Sequence, residues 1–264
     1  VMEPDNFNQI KQDNAYNFKK RKSRRNFIGP SSISLEMNNI VSRESVVFSE
    51  ANINNPYTVT EKADGERKML YISNDKKIYL IDINLNVQFT GLICNNEDYL
   101  NTLIDGEHVL HDKNGNYINY YLCFDIYFLG GEDHRLFAFY NIDGLVYETK
   151  MPEIKYRYSE LSKLISKIDI SYASRGDNSK LNISVKEFYL NQTSSIFEQC
   201  KVILDKEKNG QFVYETDGLI FTPIDKSVGS TKLGVLQNNK TWGLSFKWKP
   251  PEYNTIDFLV TTKK

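Results

Sequence analysis

A series of short runs rich in aromatic and β-branched residues, separated by polar turns, constrains the fold of this chain most strongly. The early runs occupy positions 57–60, 68–72, 78–81 and 120–128, with polar segments at 73–75 and 113–116. The later runs occupy positions 219–221, 244–248 and 256–260. Such runs are typical of β-strands, and short polar connections favour antiparallel pairing of neighbouring strands.

Two other segments have the spacing of amphipathic helices. Their apolar residues recur at intervals of three and four: Leu161, Leu164, Ile165 and Ile168 in the first, and Phe197, Cys200 and Leu204 in the second. Each stripe predicts a helix that packs one face on a core. Because strands outnumber helices, we predict an α+β fold of mostly antiparallel sheets with flanking helices.

Length and charge exclude several classes of protein. The chain has 264 residues, 40% of them hydrophobic, so it can bury the core of one large or two small domains. Its 33 Lys and Arg residues are balanced by 34 Asp and Glu residues, so any site for a polyanion must be a local patch. No apolar run approaches the ~20 residues that span a bilayer, and no membrane partner is expected.

The first part of the chain differs from the rest in composition. Residues 1–30 are polar and Asn-rich and include a basic run at 19–25. We interpret them as a tail or linker, with RNA phosphate contact by the basic run as the alternative. One folded domain is expected at 31–264. Because the first residue is Val1 rather than Met, we expect the chain to be a piece of a longer polypeptide.

The cysteines give no sign of a cross-linked or zinc-bound fold. Cys94, Cys123 and Cys200 are odd in number and widely spaced. This pattern predicts neither a disulfide framework nor a zinc site, and it favours a reducing, intracellular setting.

Four Asp-Gly pairs stand out because of their neighbours: Asp64–Gly65, Asp105–Gly106, Asp143–Gly144 and Asp217–Gly218. A single Asp-Gly between apolar runs is most often a hairpin turn. Three of the pairs, however, belong to longer motifs, which span 61–67, 104–107 and 216–221. Two further motifs accompany them, Phe124-Asp125-Ile126-Tyr127 and Phe246-Lys247-Trp248-Lys249-Pro250.

This ordered set resembles the covalent nucleotidyltransferase superfamily of mRNA capping enzymes and polynucleotide ligases, over about residues 57–258. Thr-Asp-Gly-Leu-Ile-Phe at 216–221 and Lys-Trp-Lys-Pro at 247–250 are similar to capping enzymes, whereas ligases usually have Glu-Gly in the former. The Asn- and Ile-rich composition resembles that of the guanylyltransferase segment of a capping enzyme of the large-DNA-virus type. The resemblance implies a nucleotidyltransferase catalytic domain. In the family an oligonucleotide-binding-fold (OB-fold) domain follows, and we expect it to be absent from this chain.

Lys62 is the candidate nucleophile. A lysine amine attacks phosphorus only after losing its proton, which burial or a neighbouring cation such as Arg67 favours. Attack on the α-phosphate of GTP would form a lysyl phosphoramidate and release pyrophosphate, with catalysis by positioning and charge stabilisation.

Charged residues later in the chain suit the phosphates and a divalent cation. Lys247 and Lys249 are two apart on a predicted strand, so they face one side and could neutralise the α-phosphate, while Trp248 faces the core. The alternative is that both are ordinary exposed lysines. Glu107 and Asp217 supply carboxylates for Mg²⁺ or Mn²⁺ held largely through substrate phosphates. The family pattern makes Asp217 the firmer metal ligand and assigns Glu107 to the ribose as an alternative.

The resemblance also assigns residues to the nucleoside. It implies that Phe124 stacks on the purine, that Lys186 donates to guanine O6, and that Arg67 belongs to the nucleotide site. From the residues alone, Phe124 could be an ordinary core residue and Lys186 an ordinary strand lysine.

Two tempting motifs are interpreted as structural. Asp143–Gly144 resembles the later Asp-Gly motif but lacks a Lys-x-Lys strand at a suitable distance, so we predict a turn. His108 and His111 lie three apart on a predicted strand and therefore face opposite sides, which disfavours a shared metal.

These residues predict an mRNA guanylyltransferase that transfers GMP from Lys62 to a 5′-diphosphate RNA end. Expected partners are GTP, that RNA, and RNA triphosphatase and methyltransferase domains of the same polypeptide or complex. A viral chain would work in the host cytoplasm, in a virus factory or virion. The alternatives are an ATP-dependent RNA or DNA ligase using the same lysine, which Asp217 and the Lys-Trp-Lys-Pro motif disfavour, and a non-catalytic nucleic-acid-binding module. The intact set of charged residues disfavours the binding module.

Overall fold

The computed structural model describes residues 27–42, 44–45, 51–147, 151, 153, 155–173, 180–190 and 195–253. Within them lie thirteen strands: β1 (Ser31–Ser34), β2 (Tyr57–Ala63), β3 (Glu66–Ile72), β4 (Lys77–Asp82), β5 (Val87–Cys94), β6 (Thr102–His111), β7 (Tyr117–Leu129), β8 (Glu132–Asp133), β9 (Ile170–Tyr172), β10 (Asn182–Val185), β11 (Tyr189–Leu190), β12 (Thr216–Pro223) and β13 (Thr241–Trp248). The helices described are α1 (Arg157–Lys167), α2 (Ile196–Lys208) and three short 3-10 helices, Met37–Asn39, Glu97–Tyr99 and Pro251–Tyr253.

The strands form two sheets. The small sheet has the order β1-β13-β12-β2-β11, and the large sheet has the order β10-β7-β6-β3-β4-β5-β9, with β8 paired to β7. Pairing is antiparallel throughout except between β1 and β13 and between β10 and β7. The predicted α+β class with mostly antiparallel sheets and flanking helices is confirmed. The predicted strand at 256–260 and the basic run at 19–25 lie outside the described residues.

Each predicted helix covers one sheet, but the buried stripe of α2 differs from the predicted one: Cys200 and Leu204 pack partly on the core, whereas Phe197 is exposed because Ile196 and Ile203 occupy the buried face. Leu161 and Leu164 of α1 pack into the core of the large sheet. Ile196 and Ile203 of α2 pack on the small sheet, and Ser195 caps this helix by accepting a hydrogen bond from the Glu198 backbone N–H. These contacts bury one face of each sheet, and the second face of the large sheet packs against other segments.

The second face of the large sheet is covered by segments without regular structure. Its buried residues include Met69, Tyr71 and Tyr127, and Phe27 and Ile28 from the start of the described chain pack against them. Phe27 and Ile28 lie within the region expected to be a tail. In the described part of the chain, no helix is long and apolar enough to cross a membrane.

The Asp-Gly pairs have different structural roles. Asp143–Gly144 forms a turn, as predicted, with Gly144 at a φ of +81°. The other three pairs do not close hairpins: one joins the two sheets, and the other two lie at register shifts within β6 and β12. Such shifts bend a strand and change the direction of its side chains, so these three pairs shape the region where the sheets meet.

Candidate active site

Lys62 lies where the two sheets join. It is near the end of β2 in the small sheet, and the chain then passes through Asp64 and Gly65 into β3 of the large sheet. A β-carbon on Gly65 would lie only 3.0 Å from Cγ of Glu107 on β6. Glycine therefore allows the junction to pass closely over β6, which brings the Lys62 segment beside Glu107.

Asp217 holds Lys62 and a second lysine together. Nζ of Lys62 donates to Oδ1 of Asp217 at 2.6 Å, and Nζ of Lys249 lies 2.5 Å from Oδ2. Partial burial raises the pKa of Asp217, but hydrogen bonds from Lys249 and Lys62 outweigh it and hold that pKa below its usual range. One ionised carboxylate thus brings the candidate nucleophile and another cation to the same point.

Gly218 makes this cluster possible. The register between β12 and β2 shifts across the Asp217–Gly218 pair, and Gly218 has a φ of +142°. A β-carbon there would collide with the carbonyl oxygen of Trp248 and lie 3.1 Å from Cα of Lys249. Only glycine fits this conformation and spacing, and the close approach brings Lys249 onto Asp217.

Glu107 faces the cluster from the large sheet. Burial raises the pKa of Glu107 to about 7, and attraction to Lys186, Lys62 and Arg67 opposes that rise. In the part of the chain that the structure describes, its carboxyl group makes no hydrogen bond or ion pair. Glu107 is therefore a partly buried acid surrounded by cations, with its oxygens available to a ligand.

Arg67 is paired with a different carboxylate. It was expected to be a cation beside Lys62, but its Nε and Nη2 donate to the fully buried Asp105 at 3.0 and 2.6 Å. Burial opposes the charged guanidinium, and the Asp105 carboxylate outweighs it and raises the pKa of Arg67. The cation that shares a carboxylate with Lys62 is Lys249.

Phe124 is the extra residue of a β-bulge. The pairing of β6 with β7 shifts between Asp105 and Gly106, and Phe124 is left without a partner on β6. A bulge commonly re-aims a side chain beside a functional site. The Phe124 ring centroid lies 5.7 Å from Cζ of Arg67, so this ring borders the same region as the charged residues.

Lys186 is buried in an ion pair that the sequence did not predict. It follows β10, which ends at Val185, rather than lying on a strand. Its Nζ donates to the backbone carbonyl of Glu61 and lies 3.2 Å from Oε1 of the same residue, with both side chains 4% exposed. Thr60 and Tyr214 donate to the Glu61 carboxylate as well. Lys186 is thereby held against Glu61, the neighbour of Lys62 in β2.

Lys247 and Lys249 have different surroundings. Lys249 lies just past the end of β13 and contacts Asp217, whereas Lys247 is exposed and forms no ion pair with another described residue. Trp248 packs against the core of the small sheet, as the alternation predicted. Of the expected pair, Lys249 belongs to the cluster and Lys247 borders solvent.

The two histidines of β6 have separate neighbours. His108 is buried, with Nδ1 3.0 Å from Nζ of Lys68 and Nε2 2.8 Å from Oδ1 of Asn119. Burial lowers the pKa of His108, which fits a neutral ring beside an ammonium group. His111 is exposed and its ring lies against Tyr117.

The carboxylates fit a divalent cation only together with a substrate. The described residues contain no group of three or more metal-ligating side chains. Asp217 offers one carboxylate already shared by two lysines, and Glu107 offers another with free oxygens. Mg²⁺ often binds through one or two carboxylates plus phosphate oxygens and water, and this donor set suits that mode.

The site therefore combines a lysine amine, a carboxylate that can accept its proton, several cations and an acid with free oxygens. Such a set can attack and stabilise a phosphoryl group, because positioning and charge neutralisation are what phosphoryl transfer requires. Glu61 and Asp105 were not assigned roles from the sequence. Their positions within the motifs at 61–67 and 104–107 were the signal that could have indicated them.

Known proteins similar in sequence to this chain match most of its length, and they are mRNA-capping enzymes. Residues 3–251 match the family model described as "mRNA capping enzyme, catalytic domain". A probable mRNA-capping enzyme of Acanthamoeba polyphaga mimivirus is 30% identical over 262 residues, covering 87% of this chain and 22% of that protein. An mRNA-capping enzyme of Danio rerio is 27% identical, covering 91% of this chain and 35% of that protein.

Among solved structures, a mycobacterial DNA ligase D complexed with ATP and MES is similar to this chain. The sequence identity is 12%, the match covers 84% of this chain and 60% of that chain, and the TM-score is 0.47. The chain thus spans from about a fifth to about a third of the length of the two capping enzymes that it resembles.

Proposed function

Because this chain belongs to the mRNA capping enzyme catalytic-domain family, we propose that it is the guanylyltransferase part of such an enzyme. The observation that carries the proposal is the contact of Lys62 with Asp217, which Lys249 shares. An amine and a second cation on one carboxylate suit an attack by the first on a phosphate that the second neutralises.

In the first half-reaction, Nζ of Lys62 forms a bond to the α-phosphorus of GTP and the bond to pyrophosphate breaks. The Lys62 ammonium loses one proton before the attack and a second as the phosphoramidate forms. Asp217, at 2.6 Å, is the nearest described acceptor for the first proton and passes it to water, and the leaving pyrophosphate accepts the second. Lys249 neutralises the α-phosphate, with exposed Lys247 as a second cation. Asp217 and Glu107 would hold Mg²⁺ or Mn²⁺ with the phosphates, and the ion would supply charge stabilisation.

In the second half-reaction, a 5′-diphosphate RNA end attacks the same phosphorus. The phosphorus–nitrogen bond breaks, the nitrogen takes a proton from water so that Lys62 recovers its amine, and the RNA carries the cap guanylate. Making that acceptor requires removal of one phosphate from a 5′-triphosphate transcript. We therefore propose RNA triphosphatase and methyltransferase activities in the same polypeptide or complex, an intracellular setting, and, for a viral chain, the host cytoplasm or virion.

The nucleoside is bound by the remaining residues. Phe124 stacks on guanine and Arg67 contributes charge. As the alternative to holding the metal, the free oxygens of Glu107 accept from ribose hydroxyls. Lys186 is the proposed donor to guanine O6. An ammonium group has three N–H donors, and the carbonyl and carboxylate of Glu61 occupy two of them, so one remains for the base. We assign these roles to a catalytic domain at 31–264, with 1–30 as the preceding segment.

The test is to incubate the protein with GTP or ATP labelled at the α-phosphorus and to measure acid-labile covalent label. We expect label from GTP with Mg²⁺, its loss in Lys62→Arg, and its transfer to 5′-diphosphate RNA. Lys163→Arg, on the exposed side of α1, is the matched control and should label normally. Preferential labelling by ATP would support the ligase alternative, and absence of label with intact RNA binding would support the binding module.

A further inference from the structure

Residues 27–30, which we name the strap, lie directly on the guanidinium group of Arg67. The carbonyl oxygen of Pro30 accepts a hydrogen bond from Nη1 of Arg67 at 2.9 Å, and the Phe27 ring centroid lies 5.4 Å from Cζ. Gly29 has no space for a side chain, because a β-carbon there would collide with Nη2 of Arg67 and lie 2.9 Å from Cε of Met69.

The opposite side of Arg67 is held by the large sheet. Asp105 accepts two hydrogen bonds from Arg67 and one from the Tyr127 hydroxyl at 2.7 Å. A guanidinium group has five N–H donors, and Asp105 and Pro30 account for three of them. Two N–H donors of Arg67 therefore remain free of these contacts, while Asp105 and the strap fix the position of its guanidinium group.

The remaining donors are close to the proposed nucleotide site. Arg67 pairs in register with Glu107 across β3 and β6, which puts the two side chains on one face of the sheet. Phe124 lies on the same region, 5.7 Å from the guanidinium carbon. The N–H donors of an arginine lie in one plane at fixed angles, so an arginine binds a phosphate or hydroxyl well only when that plane is correctly oriented. A rotation of the guanidinium group therefore weakens binding.

We propose that the strap is a positioning element of the nucleotide site: Pro30, Gly29 and Phe27 fix the angle at which Arg67 presents its free N–H groups to the bound nucleotide. This inference rests on the proposed function for the identity of the ligand, GTP. It gives residues outside the recognised motifs a role in nucleotide affinity. Apolar contacts of Phe27 and Ile28 hold the strap on the large sheet. The guanidinium group of Arg67 then takes its orientation from the Pro30 carbonyl, which accepts its hydrogen bond, and from Gly29, which leaves room for it.

The principal test is Gly29→Ala in the full chain, with Gly243→Ala as its control. A β-carbon at Gly243 meets no atom within 4 Å, and neither glycine has a positive φ, so the two changes differ in whether they displace Arg67. We expect Gly29→Ala to weaken GTP binding about tenfold, the effect of losing one hydrogen bond to a charged group, and Gly243→Ala to leave it unchanged. Phe27→Leu keeps the apolar contact and should weaken binding less.

A second measurement separates positioning from a general structural effect. In an Arg67→Ala background, Gly29→Ala should have no further effect on the Kd for GTP, because there is no guanidinium left to displace. Melting temperature is recorded for each variant to confirm folding. Normal GTP affinity in Gly29→Ala, or the same loss with and without Arg67, would overturn the proposal. If the unmodified chain neither binds GTP nor forms the covalent label, the proposed function fails instead.

Discussion

Glu107→Gln should make the protein more stable at alkaline pH while abolishing its chemistry. Burial raises the pKa of Glu107 to about 7 from an ordinary 4.5. The folded protein therefore favours the neutral acid, so the stabilisation is complete below about pH 4.5 and is lost as the pH rises through 7. Glutamine has the shape of the neutral acid and does not ionise, so it keeps that stabilisation at every pH.

The magnitude follows from the two pKa values. A difference from 4.5 to about 7, at about 1.4 kcal/mol for each pKa unit, corresponds to about 3 kcal/mol at pH 8. For a chain of this length that gain raises the melting temperature by roughly 5 °C. At pH 4.5 the two proteins should unfold nearly alike, because Glu107 is then neutral in the folded state and about half neutral in the unfolded state.

The assay is urea and thermal unfolding of both proteins between pH 4.5 and 8. Glu97→Gln is the control: this exposed carboxylate has a pKa lowered by a hydrogen bond from Lys76, so its replacement should give no gain at pH 8. A Glu107→Gln protein that is no more stable at pH 8, or whose advantage persists unchanged at pH 4.5, would refute the reasoning. Loss of the covalent label in the same variant would show that the destabilising acid serves function.

Three further changes test other contacts. Asp217→Asn should lose metal-dependent adduct formation while still melting cooperatively, because an amide lacks the charge that holds Mg²⁺; unchanged labelling across a Mg²⁺ titration would contradict this. Lys186→Met should lower the free energy of unfolding by about 3 kcal/mol, because the Glu61 carboxylate is left buried without its cation. In urea titrations, adding Glu61→Gln should restore most of that loss, whereas strictly additive losses would show that the two residues are not coupled. Gly218→Ala should lower the free energy of unfolding by at least about 2 kcal/mol, because its φ of +142° and the Trp248 carbonyl exclude a side chain; a melting temperature equal to that of Gly243→Ala would be the contrary result.

The sequence predicted those elements whose own residues determine them. The runs at 68–72 and 120–128 became β3 and β7, and the stripe from Leu161 to Ile168 became α1, because alternation and helical spacing are local properties. Short edge strands such as β9 and β11 were missed, since two or three residues carry no period and pair only where a neighbouring strand is exposed.

The sequence indicated which residues gather at the candidate site, but not how they contact one another. The motifs indicated Lys62, Asp217 and Lys249 as candidates, and the structure brings these three side chains together. The ion pair between Lys62 and Asp217, however, joins residues 155 positions apart and depends on a bulge at Gly218. Local patterns do not encode such a shift of register. For the same reason, the attachment of Lys186 to Glu61 became evident only in three dimensions.

The passage of the chain between the two sheets at Lys62 affects how the protein is made. Lys62, the proposed nucleophile, emerges from the ribosome long before its partners, because Asp217 follows it by 155 positions. Synthesis at about 5–20 residues per second leaves an interval of roughly 8–30 s in which the lysine exists without its site. If the proposed function holds, a nascent chain cannot consume nucleotide until β12 and β13 have joined β2. The first appearance of covalent label during refolding should then coincide with completion of the small sheet.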